Sequence, residues 1–283
     1  MYTLNCKGKL LNLDIPAVMG IINATDESFY EGHLSLNIDQ LLEKVANMLS
    51  EGASILDIGG QSTRPGSIRL SANQEAERVI PVINKIKQSF PDSIISIDTY
   101  HHEVAKWAVE SGASLVNDVS GGNMDEHMID TVAKLGVPYV CMHMLGTPET
   151  MQNNPVYTDI TKEITDYFIK KISLCQQAGI NDVIVDPGFG FGKTIQHNFT
   201  LLNKMNSLNI LNRPVLAGLS RKSTIYKTLG ITPGESLNGT TVLNTLALNN
   251  GASILRVHDV KEAVEAIKLF TAYKNAAPEK SGI

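Results

Sequence analysis

Short apolar segments alternate with longer amphipathic segments along most of the chain. The short segments are nearly continuous apolar runs, which is typical of parallel strands buried on both faces. The longer segments repeat apolar residues at positions three and four apart, as amphipathic helices do. The pattern predicts eight βα units, with strands at residues 17–22, 54–58, 94–97, 114–117, 138–143, 183–186, 214–218 and 253–257.

The junctions between these segments repeat as well. Gly-Ala-Ser precedes three of the predicted strands, at residues 52–54, 112–114 and 251–253, where a glycine is expected to end a helix. Asp259 followed by Glu262 predicts a capping box at the start of the last helix. Residues 3–13 alternate weakly around Lys7-Gly8 and predict a short β-hairpin.

Eight near-regular units without a linker favour a closed architecture. We predict one (β/α)8 TIM-barrel domain over residues 1–283, with its core at about 15–270 and the hairpin at its N-terminus. A doubly wound open sheet is the alternative. In a barrel, the carboxyl ends of all strands meet at one mouth, which is where barrel enzymes place their sites.

Composition narrows the range of partners. The net charge of −5 and the pI near 5.8 argue against binding to nucleic acid or to an anionic membrane surface. No apolar run approaches the length of a transmembrane helix, and the first residues lack the pattern of a signal peptide. The scattered residues Cys6, Cys141 and Cys175 indicate reduced thiols. We therefore expect a cytoplasmic protein.

Residues 184–194, IVDPGFGFGKT, resemble a phosphate-binding P-loop but do not fit one. A P-loop has a glycine, then four residues, then Gly-Lys-Ser or Gly-Lys-Thr. The position of that glycine is Pro187, which has no N–H group to donate. We expect instead that the glycines let the backbone pass close to a ligand, and that an anion sits across the barrel near Arg256 and His258.

Polar residues stand at nearly every predicted strand end. Each has a simpler explanation, since Asp98 and Asp186 could merely cap the helices that follow. Together, however, they bring carboxylates, an amide and cations to one mouth. An aspartate accepts paired hydrogen bonds from an amidine-like edge, and an arginine plane stacks on flat rings. The set therefore suits a flat nitrogen heterocycle; it comprises Asn23, Asp98, Asn117, Asp186, Lys222, Arg256 and His258.

Eight motifs at these strand ends resemble those of the dihydropteroate synthase family, over roughly residues 15–270. They are MGIINAT (19–25), DIGGQSTRPGS (57–67), SIDT (96–99), NDVSGG (117–122), MHMLGTP (142–148), DPGFGFGKT (186–194), LSRKS (219–223) and RVHD (256–259). The resemblance implies condensation of a dihydropterin-methyl diphosphate with 4-aminobenzoate to give dihydropteroate and pyrophosphate, in folate biosynthesis. It also implies Mg2+, sensitivity to sulfonamides and a possible homodimer.

The resemblance also implies roles for individual residues. Those expected to bind the pterin are Asp98, Asn117, Asp186, Lys222 and Arg256. Those expected at the diphosphate are Asn23, which also binds Mg2+, Thr63, Arg256 and His258. Those expected to flank 4-aminobenzoate are Arg64, Pro65, Phe191 and Ser220. Asp98, Glu27 and Glu31 are expected to stabilise a cationic intermediate, and no covalent nucleophile is expected.

The first loop departs from the family pattern. Asp26 replaces a proline, Glu27 and Glu31 replace aspartates, and His33 replaces a glycine, so acidity is kept while each carboxylate reaches one methylene further. Two other functions are compatible with the fold. One is a catalytically silent pterin-binding protein, and the other is a methyltransferase that acts on methyl-tetrahydrofolate and a corrinoid. The LSRKS and RVHD motifs argue against the methyltransferase, since it needs no diphosphate site.

Overall fold

A computed structural model describes residues 2–24, 34–61, 69–147, 150–151 and 154–276. Eight parallel strands close into a barrel in chain order, and the last strand pairs with the first. A separate antiparallel hairpin precedes them. The strands are β1 (Thr3–Cys6), β2 (Lys9–Asn12), β3 (Ala17–Asn23), β4 (Ile55–Gly59), β5 (Ile95–Asp98), β6 (Leu115–Asp118), β7 (Tyr139–Met142), β8 (Val183–Asp186), β9 (Val215–Ala217) and β10 (Ala252–Val257).

Helices surround the barrel and complete the predicted βα units. They are α1 (Leu34–Glu51), α2 (Ala72–Ser89), α3 (His102–Glu110), α4 (Met128–Leu135), α5 (Ile160–Ala178), α6 (Ile195–Asn203), α7 (Ser223–Leu229), α8 (Leu237–Asn249) and α9 (Val260–Asn275), with short 3-10 turns at Met205–Leu211 and Pro233–Glu235. Within the described ranges, no helix has the length and apolar character needed to cross a membrane.

Alternate residues of each strand pack on the two faces of the barrel wall. On β7, Tyr139 and Cys141 pack outward in the cluster shared with the helices, whereas Val140 packs inward. The inward apolar residues fill the lower part of the barrel, and Leu4 and Cys6 of the hairpin pack beneath them. Above this lower part, the interior holds buried polar residues, among them Asp57, Asn117 and Asp186.

The predicted elements agree closely with the structure. Each barrel strand lies within one residue of its predicted bounds, and the hairpin turns at Lys7-Gly8. Gly52, Gly112 and Gly251, the glycines of the repeated motif, have φ values of +106°, +120° and +97°. This left-handed backbone conformation ends a helix and favours glycine.

The predicted capping box at the start of α9 is wrong. Asp259 occupies the N-cap position, but its side chain makes no capping hydrogen bond. Its carboxylate instead accepts from Arg221 Nε at 2.9 Å and from Arg221 Nη2 at 2.6 Å. A paired, charge-assisted contact of this kind is stronger than a single cap bond. Asp259 therefore ties the loop after β9 to the end of β10.

Candidate active site

A polar layer lies above the apolar floor of the barrel. Strand register brings its members to one level, since Gly59 pairs with Asp98 and Asp98 pairs with Asn117. Asn117 and Asp186 are buried, and Asp98 is largely so. The structure therefore places these predicted residues around one mouth.

Arg256 stands between two carboxylates in this layer. Its Nε donates to Asp57 Oδ2 and its Nη2 donates to Asp98 Oδ2, both at 2.6 Å. Burial opposes the charge of Arg256, but the Asp57 and Asp98 carboxylates raise its pKa above the ordinary value, so it stays charged. Burial raises the pKa of Asp98 to about 7; Arg256 opposes that rise and the Asp57 carboxylate adds to it.

Asp57 was not among the predicted site residues. Its side chain is completely buried, and besides Arg256 it accepts from Asn117 Nδ2 at 3.0 Å. It lies in mid-strand on β4, one layer below the strand ends. The sequence signal that could have identified it is an aspartate inside the apolar run SILDI, because buried charges in proteins are almost always paired.

Lys222 and Asp186 face the same mouth. Lys222 Nζ donates to the carbonyl oxygen of Phe189 and lies 4.7 Å from the centre of the Phe191 ring. Burial lowers the pKa of Lys222 to about 8, and the Asp186 carboxylate opposes this shift. Burial likewise raises the pKa of Asp186, and Lys222 opposes that rise. The pair therefore offers an acceptor and a donor side by side.

Lys193 is a buried clamp at the end of the glycine-rich loop. Its Nζ lies 3.1 Å from His143 Nδ1 and donates to the carbonyl oxygens of His143 and Phe191 at 3.3 Å and 3.0 Å. Burial lowers the pKa of Lys193 to about 7. Lys193 therefore links the loop after β8 to the loop after β7, because the same Nζ contacts the Phe191 backbone in the first loop and His143 in the second.

The glycines of this loop were predicted to let the backbone pass close to a ligand. At two positions, glycine is needed instead because the loop packs on a neighbouring loop. A Cβ on Gly188, at φ +69°, would overlap the carbonyl oxygen of His143. A Cβ on Gly192 would lie 2.6 Å from the carbonyl oxygen of Leu145. Glycine is required there because the loop packs on a neighbouring loop. Only Gly190 lies against a residue of the mouth, since its Cβ would be 3.3 Å from Lys222 Cδ.

The expectation that the proposed anion site lies across the barrel is wrong. Only β9 separates β8 from β10, so Arg256 and His258 are close neighbours of the glycine-rich loop. His258 Nδ1 and Ser220 Oγ lie 3.0 Å apart, and the His258 backbone N–H donates to the same oxygen at 3.2 Å. Burial lowers the pKa of His258 to about 4, and Arg256 adds to the effect. His258 is thus neutral near pH 7.

Several predicted residues cannot be placed. Thr63, Arg64, Pro65, Glu27 and Glu31 lie outside the described residues, as do Asp26 and His33 of the divergent first loop. Asn23 ends β3, is exposed and lies at the same mouth. Among the described residues, no group of three or more His, Cys, Asp or Glu side chains has the arrangement of a metal site. Asn23 does offer one amide oxygen, which fits a magnesium ion that takes its other ligands from phosphates and water.

Another buried acid, Glu75, stands behind the strand wall. Glu75 of α2 has a fully buried side chain, and its Oε2 accepts from Thr99 Oγ1 at 3.1 Å. Burial raises the pKa of Glu75 to about 8, and the Asp98 carboxylate adds to this rise. The site therefore combines carboxylates of high pKa with lysines of low pKa, a pattern that is common where protonation states matter for function.

Comparison with known proteins agrees with the motifs. The family model of pterin binding enzymes matches residues 19–258. Dihydropteroate synthase from Escherichia coli K12 is 41% identical over 276 residues, which cover 97% of both chains. A crystal structure of Yersinia pestis dihydropteroate synthase with a sulfonamide drug complex superposes with a TM-score of 0.91 at 40% identity, and covers 97% of this chain and 100% of that one. The Xanthomonas albilineans enzyme in complex with 7,8-dihydropteroate gives a TM-score of 0.85 at 35% identity, with coverage of 97% and 99%.

Proposed function

We propose that this chain, which belongs to the dihydropteroate synthase family of pterin-binding enzymes, joins (7,8-dihydropterin-6-yl)methyl diphosphate to 4-aminobenzoate in folate biosynthesis. The products are 7,8-dihydropteroate and pyrophosphate. The observation that carries the proposal is the polar layer at the barrel mouth, where Arg256 bridges Asp57 and Asp98 while Asp186 and Lys222 stand beside it. Positively charged hydrogen-bond donors and negatively charged acceptors meet there, above the apolar lower part of the barrel.

The pterin suits this layer by its edge chemistry. Asp186 would accept from the amino group and adjacent ring N–H of the pterin, which resemble a guanidine edge. Lys222 would donate to a ring acceptor, and the amide oxygen of Asn117, whose nitrogen faces Asp57, would accept from an N–H group of the ring. The plane of Arg256 would lie over the ring. Each group binds and orients the ring, so that the methylene carbon points toward the open mouth.

The reaction we propose is a substitution at that methylene carbon. The C–O bond breaks and its electron pair leaves with pyrophosphate; the nitrogen of 4-aminobenzoate then forms the new C–N bond and releases a proton. The intermediate positive charge is shared by the pterin ring, and the nearby Asp98 carboxylate stabilises it. Because the aromatic amine is unprotonated at neutral pH, no strong base is required.

The diphosphate would be held at the Arg256 end of the mouth. Arg256 supplies the charge there, while His258, being neutral, supplies a hydrogen bond. Asn23 would provide the one protein ligand to Mg2+, which when bound neutralises charge on the departing pyrophosphate. Thr63 is proposed for the same region.

The aminobenzoate side would be formed by Phe191 and Ser220, together with Arg64 and Pro65. Phe191 is held by Lys193 and stacks near Lys222, so its ring is fixed at the edge of the mouth. Ser220 contacts His258 and joins this wall to the diphosphate end. The Yersinia pestis relative was crystallised with a sulfonamide drug. We propose that sulfonamides occupy the aminobenzoate position here as well.

Pterin binding by two substituted proteins tests the pocket. We expect Lys222→Ala and Asp186→Asn each to weaken binding of the pterin diphosphate about 10- to 100-fold, because each removes one charge-assisted hydrogen bond. Titration calorimetry measures this. Lys227→Ala is the matched control, since Lys227 is exposed on α7, the helix that follows Lys222. Unchanged affinity in both pocket variants would refute the assignment.

We also propose a homodimer through α8 and α9. Leu246, Leu269 and Tyr273 are 46%, 74% and 72% exposed on these adjacent helices, and they line one apolar groove. Such a surface is typical of interfaces between subunits. Leu269→Glu should shift the protein toward monomer in analytical ultracentrifugation, whereas a wild-type protein that is already monomeric would refute the proposal. A cytoplasmic location is proposed from the free, buried cysteines Cys6, Cys141 and Cys175.

A further inference from the structure

We propose that Asp57 is a positioning residue, one that determines which polar atoms Asn117 and Arg256 present to the pterin. The inference rests on the proposed function and adds a residue to it. Asp57 lies beneath the ligand-facing layer on β4, and its Oδ2 accepts from both side chains. Its effect would therefore be exerted through these two groups, without contact with substrate.

The orientation of the Asn117 amide follows from the chemistry of Asp57. A carboxylate only accepts hydrogen bonds, so the nitrogen of the amide must face it, as the 3.0 Å contact requires. The amide oxygen is then directed away from Asp57. Asn117 thus presents an acceptor, which selects a ligand with an N–H group at that point of its edge. An amide facing a neutral neighbour would be free to present either end.

The guanidinium plane of Arg256 is fixed in the same way. Nε is bound to Asp57 and Nη2 is bound to Asp98, so two contacts from different strands set the plane. Two contacts from a planar group remove its rotational freedom, which reduces the entropy lost when a ring binds against it. If Asp57 lost its charge, Arg256 would be held by Asp98 alone and would pivot about that one contact.

The test is Asp57→Asn, which keeps the size of the side chain and removes the charge. We expect the Kd for (7,8-dihydropterin-6-yl)methyl diphosphate, measured by calorimetry, to rise by at least about tenfold. We expect the KM for 4-aminobenzoate at saturating pterin to stay within about twofold, since the described hydrogen bonds of Asp57 go to Asn117 and Arg256 and not to Phe191 or Ser220. If Asp57 only stabilised the fold, the folded variant would keep both the wild-type Kd for the pterin diphosphate and the wild-type KM for 4-aminobenzoate.

Ser96→Ala is the matched control. Ser96 is the register partner of Asp57 on β5, is equally buried, and has a hydroxyl group without a protein partner in the described part of the chain. This variant changes a buried polar group in the same layer without touching Asn117 or Arg256. We expect wild-type affinity. Thermal unfolding of each variant establishes that folded protein is being compared.

An exchange variant, Asp57→Asn with Asn117→Asp, makes the test independent of the single substitution. An aspartate at position 117 offers an acceptor in either orientation, so the exchange should recover at least about threefold of the lost affinity. Wild-type affinity in Asp57→Asn, or an exchange variant no tighter than Asp57→Asn, would overturn the proposal. If the wild-type protein itself fails to bind the pterin diphosphate, the proposed function fails and the variants do not bear on it.

Discussion

Glu75 allows a quantitative test of how burial shapes this site. The side chain is fully buried behind the strand wall, Oε2 accepts from Thr99, and Oε1 has no partner among the described residues. Burial is the main reason that its pKa is raised from 4.5 to about 8, and the Asp98 carboxylate adds to it. We expect Glu75→Gln, which has nearly the same shape and no charge, to change how the free energy of unfolding depends on pH.

The sign follows from the linkage between protonation and folding. The raised pKa means that the stability contributed by protonated Glu75 is fully present below pH 4.5 and is lost as pH rises through about 8. The difference between the pKa values of 4.5 and about 8 corresponds to a free energy of at most about 5 kcal/mol. For comparison, the total stability of a typical protein is about 5–15 kcal/mol. We therefore expect the two proteins to agree within about 1 kcal/mol near pH 4.5, and the variant to be more stable by about 3–5 kcal/mol above pH 8.

Urea unfolding at a series of pH values measures this difference. Glu77→Gln is the control for the loss of one carboxylate from this helix, because Glu77 is exposed whereas Glu75 is buried. Parallel stability curves for the wild-type protein and Glu75→Gln between pH 4.5 and 8.5 would refute the reasoning. They would mean that the buried carboxylate is ionised with little penalty.

Three further predictions concern the loops and the metal. Lys193→Met should raise the KM for 4-aminobenzoate by about tenfold, because the loop that holds Phe191 loses its clamp; steady-state kinetics measures this, and an unchanged KM would contradict it. Gly188→Ala should lower the free energy of unfolding by about 3 kcal/mol or more, because the added Cβ would overlap a backbone oxygen. Gly136→Ala, where φ is also positive but the added Cβ meets nothing, should lower it by about 1 kcal/mol. Equal losses in urea unfolding would contradict the packing argument. Asn23→Ala should weaken the dependence of turnover on Mg2+ concentration; an unchanged dependence would remove Asn23 as a ligand.

The fold was largely predictable because its signals are local. Apolar strand runs and helix-ending glycines depend on neighbouring residues in the chain, so the strand bounds were correct to within one residue. The convergence of Asp98, Asn117 and Asp186 followed from the rule that barrel strands end at one mouth. These predictions needed no knowledge of which side chains finally pair.

The predictions that failed depended on long-range pairing. Asp57 was missed because its partner Arg256 lies 199 positions away, on the strand that closes the barrel. The capping function expected of Asp259 was wrong because Arg221, on another strand's loop, takes the carboxylate. The neutral state of His258 was likewise not predictable, since burial beside Arg256 is not visible in a sequence. Such contacts appear only when the chain is folded.

The measurement that tests the account most directly is pyrophosphate release by the purified wild-type protein with the pterin diphosphate, 4-aminobenzoate and Mg2+. We predict release that requires 4-aminobenzoate, with dihydropteroate formed in equal amount. Tight pterin binding without turnover would contradict the account and indicate a silent pterin-binding protein. Binding of methyl-tetrahydrofolate alone would also contradict it, and would indicate a corrinoid-dependent methyltransferase.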